Sequence, residues 1–189
     1  MPHPTHMTAA DTGLLVIDVQ EKLMPKIANA DRVTRNIAFL IDAARLMNMT
    51  VQATEQYPKG LGPTVPELAK RLPARPDKLA FSCCAVPAVL EGFHAGGCPK
   101  VVLAGIETHV CVQQTALDLL AMNFRVYIPV DAVGSRYPID HEYALRRMEQ
   151  AGAILTTSET AVFEWVGGSN APQFKEISRL VQDRMKELN

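Results

Sequence analysis

The chain has 189 residues, of which 48% are hydrophobic and 21% charged, with a net charge of −1 at neutral pH. That length suits one domain with a sizeable core, and the balanced charge offers no basic field for nucleic acid or an anionic membrane. No apolar run approaches the ~20 residues of a membrane span, and the polar N-terminus lacks the apolar segment of a signal peptide, which makes the cytoplasm the expected location.

Residues 1–12 read as a loosely ordered N-terminus ahead of a single domain over 13–189. Residues 13–18 (GLLVID) form a continuous apolar run ending in an acid, the pattern of a strand covered on both faces. Residues 31–47 carry apolar side chains at Val33, Ile37, Leu40, Ile41 and Ala44, a helical spacing, with Asp31 placed to cap it. A second strand is expected over 50–54, a Pro/Gly-rich loop over 57–66 and a short helix over 65–71.

A strand of unclear extent is expected near Leu79, directly after Lys78, and then a helix over 86–95 with Pro87 in its first turn. Residues 101–104 form another buried strand, and residues 112–122 the helix that follows it. Cys111 therefore falls at a strand-to-helix junction, where free N–H groups and the helix dipole lower a thiol's pKa. A strand over 124–130, a helix over 140–150, a strand over 153–156, a helical turn over 158–165 and a terminal helix over 172–187 complete the chain. Alternating strands and helices predict an α/β fold with a mostly parallel sheet. In such sheets the site lies beyond the carboxyl ends of the strands.

Asp18 and Cys111 fall at or just beyond such ends. The four cysteines, Cys83, Cys84, Cys98 and Cys111, form no Cys-x-x-Cys pair and are expected to be free thiols. Asp18, Lys78 and Cys111 make a coherent chemical set, since a carboxylate can take the thiol proton while an ammonium favours both charged partners. Taken singly, each has a structural explanation: a capping acid, a solvated lysine, a buried cysteine.

Together the set resembles the isochorismatase-like cysteine hydrolase superfamily. The pieces that carry the resemblance are residues 15–20 (LVIDVQ), Lys78 with Phe81 and Ser82, residues 105–112 (GIETHVCV), and Asp131-Ala132-Val133. Residues 54–62 (TEQYPKGLG) and 105–119 are similar to a narrower subgroup, the isochorismatase domain-containing proteins. The resemblance implies a three-layer α/β/α, Rossmann-like fold with a sheet of about six strands, and assembly into a homo-oligomer. It assigns Asp18 as general base, Lys78 as its electrostatic partner and Cys111 as nucleophile. It also implies a cis peptide between Ile106 and Glu107 and an oxyanion hole built from the backbone amides of Glu107 and Cys111.

The implied reaction is cleavage of a C–N bond in a small amide through a Cys111 thioester. The alternatives are vinyl ether hydrolysis of the isochorismatase type, which does not need the cysteine, and a binding protein that keeps the fold without catalysis. Metal-binding relatives such as nicotinamidases use an Asp-x-His motif after the second strand. Here that stretch, residues 53–58, contains neither residue. No metal and no cofactor are therefore expected, and the partner is a small-molecule substrate. Gln20, Tyr57, Phe81 and His109 are candidate pocket residues, with core packing, loop or structural roles as the alternatives for each.

Overall fold

The computed structural model describes residues 3–187. The first half of the chain runs β1 (Thr12–Ile17), α1 (Ala30–Leu46), β2 (Thr50–Gln56), two single-turn helices α2 (Pro58–Leu61) and α3 (Pro66–Ala69), β3 (Asp77–Lys78) and α4 (Pro87–Ala95). The second half runs β4 (Lys100–Ile106), a π-helical turn (Thr108–Val112), α5 (Gln113–Ala121), β5 (Arg125–Pro129), β6 (Val133–Gly134) and α6 (Pro138–Gln150). It closes with β7 (Ile154–Thr156), α7 (Ser158–Val166) and α8 (Phe174–Glu187).

All paired strands are parallel, in the order β3-β2-β1-β4-β5-β7, with β6 paired to the end of β4. The α/β expectation holds, with seven strands instead of about six. The additional pieces are short: β3 and β6 have two residues each, too few to leave a periodic signature.

The apolar runs of β1 and β4 are explained by burial on both faces. Leu14 and Val16 of β1, with Val102, Ala104 and Ile106 of β4, join a core with Ile37, Leu40 and Ile41 of α1, Trp165 of α7 and Ile177 of α8. Leu15 and Ile17, with Val101 and Leu103, face the opposite core beside Val89 and Phe93 of α4, Leu119 of α5 and Met148 of α6. Successive strand residues point to opposite faces, so each strand feeds both cores and the sheet becomes the middle of three layers.

Several expectations are corrected. Asp31 does not cap α1: Asn29 is the capping position, in a left-handed conformation without a side-chain cap, and Asp31 lies in the first turn, where its charge complements the helix dipole. The expected loop over 57–66 contains a helical turn, begun by Pro58 at its first position. Described residues ahead of β1 also make contacts with the body of the domain. Met7 is buried in the core and donates its N–H to Glu164. Tyr127 donates its hydroxyl to Thr5 O at 2.7 Å, and Lys100 Nζ reaches Asp11 Oδ2 at 2.7 Å. Among the described residues, no helix is long and apolar enough to cross a membrane.

Candidate active site

Moving outward from β1, the sheet continues through β2 and β3 on one side and β4, β5 and β7 on the other. The boundary between β1 and β4 is the topological switch point, where the helices after adjacent strands leave on opposite sides and open a crevice. Asp18 is the first residue after β1, and Cys111 lies in the turn after β4. Ile17 is in register with both Thr54 of β2 and Gly105 of β4. Farther along the same edge, Gln56 of β2 is paired with Lys78 of β3. Four neighbouring strand ends thus bring these residues together.

Asp18 adopts a left-handed backbone conformation, φ 54°, a region uncommon for residues other than glycine but visited by Asp. Its amide still donates to Thr54 O, continuing the strand pairing by one residue. The carboxylate is held from two sides. Lys78 Nζ lies 2.7 Å from Oδ2, and Thr54 Oγ1 donates to Oδ1 at 2.8 Å. Both ionised side chains are 1% exposed. The Lys78 ammonium is also bonded to Gln56 Oε1 at 2.7 Å and to Phe81 O at 2.9 Å. Burial opposes the charged form of Lys78, but the negative charge of Asp18, together with the hydrogen bond to it, raises its pKa above the ordinary lysine value.

Cys111 is 6% exposed. It lies inside a π-helical turn: Glu107 O accepts from Val110 N–H and from Val112 N–H, the amides on either side of Cys111. Such widened turns recur at functional positions because they re-aim a side chain or amide within a helix. The thiol pKa is raised, contrary to the expectation from the junction. Burial is the largest cause and the adjacent Asp18 charge the next. A hydrogen bond to Asp18 adds to them, and Lys78 only partly offsets all three. The resting cysteine is therefore a thiol beside a carboxylate, not a preformed thiolate.

The Ile106–Glu107 peptide is cis. The Glu107 side chain is turned to Arg136, accepting from its Nε at 3.1 Å and its backbone N–H at 3.3 Å. His109 bonds Ser135 Oγ through Nδ1 at 3.0 Å and stands 3.9 Å from Glu107 and 3.8 Å from Asp140, so its main partner is Ser135. Gln20 is completely buried. Its amide donates to Gln56 O and Gly62 O and accepts from Gln56 N–H, tying the loop after β1 to β2. Tyr57 and Phe81 are 49% and 50% exposed and flank Lys78: the Tyr57 amide donates to Lys78 O, and Phe81 O accepts from the ammonium.

Thr54, Gln56 and Cys83 all join the Asp18–Lys78 cluster, and the first two carry no role in the sequence reading. The available signal was the pair of polar residues, two apart and so on one face, at the carboxyl end of a strand beside β1. Among the described residues, no group of three His, Cys, Asp or Glu side chains is placed to hold a metal ion.

A model of the isochorismatase domain matches residues 12–160. The chain belongs to the isochorismatase family. Isochorismatase domain-containing protein 2A of Mus musculus is 41% identical over 171 residues, 90% of this chain and 82% of the mouse protein. Among solved structures, the MAR1 ribonuclease of Caenorhabditis elegans superposes with a TM-score of 0.88 at 43% identity, covering 94% of this chain and 93% of that one. YcaC of Escherichia coli, an octameric hydrolase of unknown specificity, shares the fold with a TM-score of 0.84 at 24% identity over 98% and 99% of the two chains. Fold and family thus place the protein among hydrolase-type isochorismatase relatives.

Proposed function

We propose that the protein is a cysteine hydrolase that cleaves the C–N bond of a small amide, with Asp18, Lys78 and Cys111 as its catalytic residues. The observation that carries the reading is the fully buried Lys78–Asp18 ion pair set against the Cys111 thiol. A binding protein gains nothing from keeping a desolvated acid, cation and thiol in contact, since a buried ion pair is rarely a net stabiliser.

Asp18 takes the Cys111 proton as sulfur attacks the carbonyl carbon, so proton transfer and attack are coupled and no free thiolate accumulates. Lys78 holds the carboxylate in place through its 2.7 Å contact. The backbone amides of Glu107 and Cys111 serve as donors to the tetrahedral oxyanion, a contribution worth about 3–4 kcal/mol for a well-placed donor. Collapse breaks the C–N bond, and the proton held on Asp18 passes to the leaving nitrogen. Water then attacks the thioester with Asp18 again as base, releasing the acid and restoring the thiol.

Tyr57 and Phe81, exposed beside Lys78, form the rim through which substrate enters. The nematode relative's ribonuclease name suggests RNA instead, but binding a polyanion requires several Lys or Arg contacts to phosphate, and a chain of net charge −1 carries no such excess. The octameric state of YcaC supports assembly of this chain into a homo-oligomer. The reading is tested with a panel of small primary amides, a vinyl ether substrate and a single-stranded RNA, comparing the wild type with Cys111→Ala. Amide hydrolysis abolished in the variant supports it. Activity confined to the ether or the RNA, or unchanged in Cys111→Ala, rejects it.

A further inference from the structure

Thr54 lies on β2, 1% exposed, with its hydroxyl between two groups of the site. Oγ1 is 2.8 Å from Asp18 Oδ1 and 3.4 Å from Cys83 Sγ. A hydroxyl has one proton, and an ionised carboxylate only accepts. The Thr54 proton therefore points to Asp18, and the Cys83 thiol must be the donor in the second bond. Cys83 is completely buried, and burial, with the Asp18 charge, pushes its pKa up to about 11, which keeps that thiol proton in place. Cys83 is itself anchored: its amide donates to Thr115 Oγ1 at 2.9 Å, and Thr115 lies one helical turn beyond Cys111.

We propose that Thr54 is a positioning residue: its hydroxyl, oriented by the Cys83 thiol, fixes the carboxylate of Asp18 so that a remaining lone pair meets Cys111. The inference rests on the hydrolase reading, in which Asp18 is the base. The ion pair with Lys78 alone constrains one carboxylate oxygen and leaves rotation about that contact. The Thr54 bond to the other oxygen removes it. The ionisable groups facing Asp18 are Lys78 from β3, Cys83 from the segment before α4, and Cys111 from the turn before α5. Thr54 is the neutral member of the set. Losing it leaves Asp18 Oδ1 without the donor that holds it.

The test is the rate of alkylation of Cys111 by iodoacetamide across a pH series, read by peptide mass so that the other three thiols are resolved. In the wild type the rate has an acidic limb set by the base. Thr54→Val, which keeps the shape and removes the donor, moves that limb up by about one pH unit, the shift expected for one bond to a charged group. Thr54→Ser restores it. Cys83→Ala moves it in the same direction by less, because Thr54 keeps its proton but loses the donor that polarises it. Thermal unfolding run in parallel identifies a variant that fails to fold, and the Cys83→Ala and Thr54→Ser profiles then decide the matter. Limbs of all folded variants coinciding with wild type overturn the role of Thr54 while leaving the hydrolase reading intact. A wild type without an acidic limb overturns both.

Discussion

Lys78 Nζ and Asp18 Oδ2 meet at 2.7 Å with both side chains 1% exposed. A carboxylate so far from water depends on its cation. Lys78→Met is therefore expected to destabilise the protein by about 3–5 kcal/mol, the usual consequence of leaving one buried charge alone. Adding Asp18→Asn removes the orphan charge, so the double variant recovers part of the loss. Chemical denaturation of the two single variants and the double variant measures the coupling; additive losses would contradict it. The contribution of Lys78 has a pH window. Because its folded pKa is raised above 10.5, the stabilisation is full below about that pH and is lost as pH rises through the higher folded value.

The charge of Asp18 is the second-largest cause of the raised Cys111 pKa. Asp18→Asn takes that charge away and leaves Lys78, which favours the thiolate, uncompensated. The variant is expected to lose hydrolysis and yet to titrate Cys111 at lower pH than the wild type. Ultraviolet absorbance of the thiolate, with Cys111→Ala as the blank, follows this directly. A Cys111 pKa unchanged or higher in the variant would show that Asp18 does not act on the thiol.

Gly105 makes the site's closest backbone approach. Its φ is +129°, and a Cβ added there would stand 2.1 Å from Ile17 O. The backbone cannot give way cheaply, since Ile17 is paired in register with Gly105 on one side and Thr54 on the other. Gly105→Ala is expected to cost at least about 1–3 kcal/mol from the conformation alone. A chain of this length then loses about 2–4 °C in Tm per kcal/mol. The displaced β4 end would also carry Cys111 away from Asp18, so activity should fall by more than stability does. Calorimetry alongside amide turnover reads both.

The sheet was legible because β1 and β4 are buried on both faces and leave unbroken apolar runs. The single-turn helix at Pro58 and the two-residue strands β3 and β6 were not, since pieces that short have no period to read. The charged centre of the site was visible in Asp18, Lys78 and Cys111, each beside a recognisable strand or motif. Its neutral supports were not. Thr54, Gln56 and Gln20 are polar residues whose roles depend on which backbone groups the fold brings to them. Gln20 in particular spends its amide on the β2 backbone and Gly62, contacts that no local pattern signals. The thiol pKa runs against the junction-based expectation because the helix position is visible in the sequence, while burial and the adjacent carboxylate, which outweigh it, come only with the fold.

The central claim is that Cys111 carries the acyl group. Rapid mixing of enzyme with a slowly turned-over amide, followed by acid quench and peptide mass analysis, tests it most directly. The account predicts an acyl mass increment on the peptide containing Cys111, formed in the wild type, absent in Cys111→Ala, and decaying as product acid appears. An amide hydrolysed at the wild-type rate by Cys111→Ala, or an increment found only on Cys84 or Cys98, would contradict it.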